Sequence, residues 1–261
     1  MLYGVGTSLI AAAVFARFAL VSDELSDELM RLGVQDVFAD RRKALRDEFW
    51  DKLIRGSRHH YFVLGVANNG YAGDQPRRDR YKPAFLEAVR QRVEVTIIWL
   101  DPETDIARIR DAEEQRATRK DTVDSILWFW GLAQELNDSE RARFKLLLHQ
   151  DTPTCGVTWA DDRVVVTNYL AGRLNLEAPG MILSTATTRW SGVHRLLGVT
   201  PSEAELATSY TNNLREVEGR SEVIDQHRIT RLESLRPAYA TGPSQADIRK
   251  ERDAADHGGS S

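Results

Sequence analysis

Cysteine is almost absent from this sequence of 261 residues, in which Cys155 stands alone. A single cysteine excludes an intrachain disulfide and a cysteine-based zinc cluster. A strong excess of positive charge is lacking as well, because 35 Lys and Arg residues are balanced by 39 Asp and Glu residues, for a formal net charge of -4. This balance excludes a strongly basic nucleic-acid-binding protein, since the chain as a whole does not attract phosphates.

The motifs of several enzyme classes are missing too. The sequence contains no glycine-rich phosphate loop, no HExxH zinc motif and no GxSxG nucleophile elbow. Gly4 and Gly6 lie inside an apolar segment, so they do not indicate a nucleotide-binding loop. We therefore expect neither a bound metal nor an organic cofactor.

The apolar segment at residues 1–21 contains no acidic residue and one basic residue, Arg17. As a helix it would be about 31 Å long, which matches a hydrocarbon core of roughly 30 Å. We predict a transmembrane helix here, with Arg17 near its end, where the long side chain reaches the headgroups. A signal peptide is the main alternative, although the basic region that precedes its apolar part is missing. A buried core helix is the third interpretation.

Basic residues near this segment predict its orientation. None precedes it, whereas Arg31, Arg41, Arg42 and Lys43 follow it. Since Lys and Arg accumulate on cytoplasmic flanks, we predict a single-pass membrane protein whose soluble body faces the cytoplasm. Small residues recur every fourth position within the span and would allow a second helix to approach closely, although small residues are also common in membrane spans in general. They are Gly4, Ser8, Ala12 and Ala16.

The remainder of the chain is predicted to contain a helical stalk and alternating strands and helices. Leucines recur at helical spacing before Gly33, which predicts the stalk over residues 22–34. Apolar runs that end in turn residues predict strands at residues 59–66, 93–100, 144–149, 154–159, 163–168 and 181–184. Amphipathic segments predict helices near residues 40–55, 83–92, 104–119, 120–137, 188–197, 202–216 and 221–235, with a polar loop at residues 71–80.

The order of these elements predicts an α/β fold with a mixed sheet flanked by helices. Strands in the second half are too close together for crossovers and must be antiparallel, with a tight turn at Asp161 and Asp162. We assign the α/β domain to residues 35–200, a C-terminal helical extension to residues 201–236 and a disordered tail to residues 237–261.

Polar residues follow three of the predicted strands. Ligands of open α/β sheets bind beyond the carboxyl ends of parallel strands, so these residues could converge on one crevice. They are Asn68, Asn69 and Gly70, then Asp101 and Glu103, then His149 and Asp151. Two simpler interpretations stay open: His149 as a packed core histidine, and Asp101 as part of a turn that starts the next helix.

Three segments carry a resemblance to a known superfamily. The strand HHYFVLGV is followed by a helix and by TIIWLDPETDIARIR, and this succession resembles the first half of a phospholipase D-like domain. The later segment TCGVTWADDRVVVTNY is similar to the stretch in which that superfamily carries its His-x-Lys-x4-Asp motif. The resemblance covers residues 35–200 and implies a phospholipase D-like mixed β-sheet.

The catalytic motif of that superfamily is not preserved. With Asp161 at the motif's aspartate, Thr154 stands at the nucleophilic histidine and Gly156 at the lysine. With Asp162 there instead, Cys155 takes the histidine's place. Glycine has no side chain to hold a phosphate charge, and threonine attacks only when a base is adjacent. The resemblance therefore implies a degenerate active site.

The leading hypothesis is a membrane-anchored cytoplasmic phospholipase D-like domain that is catalytically inactive and acts as a ligand-binding or regulatory module. Its candidate residues for binding a small ligand are Asn68, Asn69, Asp101, Thr154 and Asp161. The alternative is a phosphodiester hydrolase, for a phospholipid or a nucleic acid, with a non-standard active site. Its candidate catalytic residues are His149, Asp151 and Cys155, with Asp101 beside them.

Two further expectations concern partners. The superfamily pairs two half-domains in one site and a single half-domain is present here, so the resemblance implies a homodimer. A third hypothesis is a purely structural interaction protein whose polar tail, residues 237–261, recruits a partner.

Overall fold

A mixed eight-stranded sheet with helices on both faces forms the part of the chain that the structure describes. The computed structural model describes residues 29, 32–114, 117–151, 153–169, 178–185 and 205–240. The strands are β1 (Val34–Phe38), β2 (His60–Gly65), β3 (Glu94–Leu100), β4 (Phe144–His149), β5 (Cys155–Ala160), β6 (Arg163–Asn168), β7 (Gly180–Ser184) and β8 (Glu222–Val223). The helices are α1 (Arg41–Ala44), α2 (Asp47–Gly56), α3 (Asn69–Ala72), α4 (Gln75–Arg90), α5 (Asp105–Glu114), α6 (Thr118–Gln134), α7 (Asp138–Arg141), α8 (Glu205–Arg220) and α9 (Gln226–Ala240).

The strand order across the sheet is β1-β7-β6-β5-β2-β3-β4-β8. Strands β2, β3 and β4 run parallel, and the other neighbouring pairs are antiparallel. Helices α3 and α4 connect β2 to β3, and α5 to α7 connect β3 to β4, because parallel neighbours need a crossover connection. The predicted mixed α/β fold with helices flanking the sheet is confirmed.

Alternate strand residues divide the core between the two faces of the sheet. On one face, called the α6 face, Tyr61 and Trp99 pack with Phe129 of α6. On the other face, called the α8 face, Leu64 packs in a cluster with Leu214 of α8. Because parallel strands are buried on both faces, their sequences are continuous apolar runs rather than alternating ones.

The prediction of a loop at residues 71–80 is wrong, because α3 covers its first residues and α4 its last ones. The Asp74 side chain accepts the backbone N–H of Arg77 at 2.9 Å and so caps the start of α4. Pro76 lies in the first turn, where backbone N–H groups have no helical acceptor. Pro83, predicted in a first turn, lies inside α4, in a stretch whose neighbouring residues are buried.

Strands β1 and β8 were not predicted. Strand β1 begins at Val34, the last residue of the predicted stalk, after Gly33 turns the chain with a φ of 84°. Its sequence contains the exposed residue Asp36, which hides the strand pattern. Strand β8 has 2 residues, and its pairing with β4 defines it. The predicted helix at residues 40–55 is divided into α1 and α2.

Several predicted segments lie outside the described residues. These are the transmembrane helix at residues 1–21, most of the stalk, the helix at residues 188–197 and the tail from residue 241 onward. Within the described ranges, no helix has both the length and the apolar character needed to cross a membrane. Helix α9 continues past residue 236 to Ala240 and buries Tyr239.

Asp161 and Asp162 form the turn between β5 and β6, as predicted. Asp161 has a φ of 49°, in the left-handed region that aspartate tolerates. Its carboxylate accepts the backbone N–H groups of Arg58 (2.7 Å), His59 (2.9 Å) and His60 (3.1 Å). Burial alone would raise the pKa of Asp161, but these N–H donors favour the charged form and bring the pKa below its ordinary value. The carboxylate thereby fixes the start of β2.

Asp161→Ala leaves these backbone N–H groups without an acceptor, so we expect the free energy of unfolding at pH 7 to fall by about 2–4 kcal/mol. Urea denaturation measures the change. Asp162→Ala is the matched control, because the neighbouring exposed side chain makes none of these bonds, and it should alter stability by no more than about 0.5 kcal/mol.

The Asp161 contribution should also depend on pH. The folded-state pKa lies below the unfolded value, so the stabilisation is complete above that unfolded value and is lost as the pH falls through the folded pKa, below about pH 4. Wild type and Asp161→Ala should therefore converge in stability at low pH. A constant difference from pH 7 down to pH 2 would contradict this account.

Candidate functional site

A cavity of about 250 Å³ opens on the α6 face at the carboxyl end of β2, and we call it the β2 cavity. Strands β2, β5 and β6 contribute to its walls, together with residues of α1, α2, α3, α4 and α6. Its polar lining includes Arg41, Asn68, Asn69, Arg77, Asp121 and Thr158. The cavity therefore combines positive charge with amide and hydroxyl groups.

A tight turn after β2 builds one wall of this cavity. Asn68 adopts the left-handed conformation with a φ of 51°, and its side-chain amide donates to the Ile98 carbonyl at 3.1 Å. A Cβ atom on Gly65 would stand 2.2 Å from Asn68 Oδ1, so glycine is needed where the turn folds back. The Tyr169 hydroxyl accepts the Val66 N–H at 3.1 Å. These contacts fix the turn to the sheet.

Arg41 carries the main positive charge of the cavity. Its guanidinium carbon lies 4.9 Å from the centre of the Trp50 ring, a cation–π contact. Trp50 is buried, and its ring meets Tyr71 edge-on at 6.1 Å, so the surface under the guanidinium is rigid. Arg41 itself is half-buried. Among the described residues no carboxylate forms an ion pair with it.

The other charged residues of the cavity are more nearly balanced. Arg77 lies 3.4 Å from the Asp74 carboxylate and 4.0 Å from that of Asp47, so part of its charge is neutralised. Asp121 adds a carboxylate at the start of α6. Arg41 therefore remains the group best suited to attract an anion.

Two buried tyrosine hydroxyls lie beside the cavity, and Tyr71 also lines it. The Tyr61 and Tyr71 oxygens are 2.9 Å apart, and burial raises the pKa of both hydroxyls. The positive charge of Arg41 opposes this rise in both, which shows that the guanidinium acts on the same polar region. Both hydroxyls stay neutral near pH 7 and remain able to donate hydrogen bonds.

This arrangement is suited to hold an oxyanion, because a guanidinium donates two parallel hydrogen bonds to one oxyanion group. No described residue that lines the cavity is a histidine, a cysteine or a lysine. The Thr158 hydroxyl has no such base beside it to activate it as a nucleophile. The described lining thus offers guanidinium, amide, hydroxyl and carboxylate groups to a ligand.

The structure places Asn68, Asn69 and Gly70 on the β2 cavity, whereas Asp101 and Glu103 lie in a different environment. The Asp101 carboxylate is 2.6 Å from the Arg228 guanidinium of α9. Glu103 pairs with the same guanidinium and also accepts from Arg231 at 2.8 Å. Asp101 and Glu103 therefore fix α9 to the end of β3.

His149 lies on the opposite face of the sheet from Asp101. His149 pairs with Leu100 in the parallel register, so these two side chains lie on the same face of the sheet. Asp101 follows Leu100 directly, and because successive side chains point to opposite faces, Asp101 lies on the other face. Burial lowers the pKa of His149, although Asp151, with the two side chains 3.7 Å apart, works against this. Asp151 is 74% exposed, so this pair is held only loosely.

Cys155 does not complete a catalytic dyad with His149. Burial raises the pKa of the Cys155 thiol to about 11, so the reactive thiolate is scarce near pH 7. The thiol packs on the α8 face of β5, and β5 is separated from β4 by β2 and β3, a distance of about 14 Å. Thr154 precedes β5, where its carbonyl accepts the Tyr169 N–H at 3.3 Å. Asp161 lies at the other end of β5, away from the cavity.

Sequence reasoning missed Arg41, Arg77, Tyr71 and Thr158 as members of the site. Arg41 was used only to predict the orientation of the transmembrane helix. Arg77 lies in residues 71–80, which were wrongly predicted to form a loop. The tyrosine immediately after Asn69-Gly70 was the one available signal, because it continues the turn beyond β2. Gly156, at the position equated with the motif lysine, lines the cavity without offering a side chain.

Arg228→Ala tests the role of Asp101. It leaves two carboxylates that are 7% and 16% exposed without this partner, so we expect a loss of about 3–5 kcal/mol in the free energy of unfolding. Guanidinium chloride denaturation measures the loss. Arg231→Ala is the control: its side chain is 56% exposed, and we expect about 0–1 kcal/mol. Equal effects of the two variants would show that the buried pair is unimportant.

No family model matches the sequence, and no curated protein matches it. Solved structures that are similar to the chain include the following three. For TrmBL2, an archaeal chromatin protein, the TM-score is 0.42 with 8% identity over 84% of this chain and 63% of that one. For Nuc from Salmonella typhimurium, a phospholipase D family member, the TM-score is 0.41 with 11% identity over 73% of this chain and 99% of that one. For phosphatidylserine synthase of Haemophilus influenzae Rd KW20, the TM-score is 0.43 with 15% identity over 85% of this chain and 45% of that one.

The superfamily that the sequence resembles is thus represented among these solved structures. TM-scores of this size assign neither a fold family nor an activity to the chain.

Proposed function

We propose that this chain is a ligand-binding, regulatory module that holds a small phosphate-bearing anion in the β2 cavity and does not hydrolyse it. The observation that carries the proposal is Arg41, a half-buried guanidinium stacked on Trp50, on the cavity wall. None of the ion pairs between described residues involves this guanidinium. Keeping a charge partly out of water is unfavourable, and an anionic ligand would relieve it.

The other groups of the cavity favour a phosphate ester over a simple anion. Neutral donors stand near the guanidinium, since Tyr71, Thr158 and Asn69 all line the cavity. The volume of about 250 Å³ exceeds what a phosphate group alone fills, and apolar walls such as Val63 and Val165 surround the rest. A ligand with one phosphate group and a small organic substituent matches this combination.

The alternative, a phosphodiester hydrolase, is less well supported. Its candidate residues Asp101 and His149 point to opposite faces of the sheet. Asp101 is already bound by Arg228, and the half-buried thiol of Cys155 has its pKa raised to about 11. The described lining beside Arg41 contains no histidine, cysteine or lysine, and its one carboxylate is that of Asp121.

Arg41→Ala should weaken binding of inorganic phosphate and of dimethyl phosphate by about ten- to a hundredfold, because it removes two charge-assisted hydrogen bonds. Isothermal titration calorimetry on the purified chain measures both affinities. Arg90→Ala is the matched control, since it removes the same charge from an exposed site outside the cavity and should leave both affinities unchanged. If Arg41→Ala binds phosphate as tightly as wild type does, the proposal is wrong.

The same protein preparation tests for catalysis. With bis(4-nitrophenyl) phosphate as substrate, we expect no turnover above that of buffer. Turnover that His149→Ala abolishes would contradict the regulatory proposal and favour the hydrolase.

We also propose that residues 1–21 anchor this module in a membrane, with the body in the cytoplasm, and that two copies associate. The support is the sequence: an apolar segment without acidic residues, basic residues after it, and small residues at every fourth position. Association in the membrane would bring two β2 cavities into one assembly.

Two arginines introduced into residues 1–21 should prevent these residues from anchoring the protein in a membrane. Leu9→Arg combined with Val14→Arg raises the cost of insertion by about 2.5–3.5 kcal/mol for each arginine, so carbonate washing should release this variant but not wild type. For association, co-capture of two differently tagged copies should fall in Ala12→Leu, which blocks the small-residue stripe, and persist in Ala11→Leu beside it. Release of the wild-type chain by carbonate would refute the anchor.

A further inference from the structure

We infer that Gly70 controls access of the ligand to Arg41, which makes it a specificity-determining residue of the β2 cavity. This inference rests on the proposed function. Gly70 is the second residue of α3 and lines the cavity. A Cβ atom built on it would lie 3.4 Å from Arg41 Nη2. Apart from residues 69–71 and the backbone of the same helix, no other heavy atom of the described residues lies within 4 Å of that point.

The position of the Arg41 guanidinium explains why a Cβ atom at residue 70 would affect ligand binding. The Trp50 ring fixes the guanidinium from one face, at 4.9 Å, so ligand atoms must approach the N–H groups along the edge of the guanidinium plane. Nη2 is one end of the fork that binds an oxyanion with two parallel hydrogen bonds. Gly70 leaves open the space beside that nitrogen.

A methyl group at position 70 would occupy this space without displacing Arg41. A separation of 3.4 Å is an ordinary van der Waals contact, so the guanidinium can stay on Trp50. A ligand oxygen, however, must come within about 2.9 Å of the nitrogen to accept its hydrogen bond. The methyl group therefore competes with the ligand for the same side of Nη2.

Stability and binding should consequently move in opposite directions. Gly70 lies in a helix with no positive φ, where alanine is favoured over glycine by up to about 1 kcal/mol. Gly70→Ala should therefore fold as well as wild type or better. A purely structural role for Gly70 predicts instead that binding falls only if stability falls.

The experiment compares Gly70→Ala with Gly131→Ala in the purified chain, using inorganic phosphate as the probe. Gly131 is also a helical glycine, in α6, and a Cβ atom there meets nothing within 4 Å. We expect both variants to keep or raise the Tm. The dissociation constant for phosphate should rise about tenfold in Gly70→Ala, as for the loss of one charge-assisted hydrogen bond, and stay unchanged in Gly131→Ala.

A double variant tests whether the effect acts through Arg41. In the Arg41→Ala background, Gly70→Ala should cause no additional loss of phosphate affinity, because the nitrogen that it shields is gone. Gly70→Ser is a second variant that places a Cβ atom at the same point, should the alanine variant not fold.

Each outcome decides one of the two claims. If Arg41→Ala weakens phosphate binding but Gly70→Ala binds like wild type, the inference about Gly70 is overturned and the proposed function stands. If Gly70→Ala weakens binding equally with and without Arg41, the inference is also overturned. If wild type binds no phosphate, the proposed function fails, and the inference fails with it.

Discussion

Burial of three parallel strands on both faces is the constraint on which the rest of the structure depends. Strands β2, β3 and β4 consist almost entirely of buried residues, so each face of the sheet has to be covered. The crossover helices α4 and α6 cover one face because they connect these strands. Helix α8, which follows the seven longer strands of the described residues, covers the other. The β2 cavity lies where the first crossover leaves the sheet.

The same constraint explains which parts of the fold could be predicted from the sequence. Strands β4 and β6 match the predicted residues at both ends, because a buried strand bounded by polar turns has a clear pattern. Strand β1 escaped prediction because it lies at the sheet edge and exposes polar residues. Strand β8 has almost no local signal, since pairing with β4 alone defines it. The start of α4 was missed because the polarity of residues 71–80 hid the Asp74 cap.

The structure brings the residues that follow β2 to the cavity and places those that follow β3 and β4 elsewhere, and the reason is geometric. Asn68 and Asn69 lie on the cavity because the turn that follows β2 stays on the α6 face. Asp101 and His149 reach the same edge of the sheet, but their register directs them to opposite faces. A residue's position at the end of a strand therefore predicted at which end of the sheet its side chain lies, but not on which face. Arg41 comes from a different element, and only the packing of α1 and Trp50 shows that it belongs to the site.

The ion pair between Arg228 and Asp101 has a consequence for how the chain folds. This ion pair joins residues that are 127 positions apart in the sequence. Strand β8, which covers the edge of β4, is synthesised only shortly before Arg228. During synthesis the sheet therefore exists for some time with the β4 edge unpaired and the α8 face uncovered, a state that favours aggregation. Contacts between such distant residues also slow folding. The sheet is protected at this edge and on this face only once α8, β8 and α9 have left the ribosome, so the nascent chain is more prone to aggregation than the finished protein.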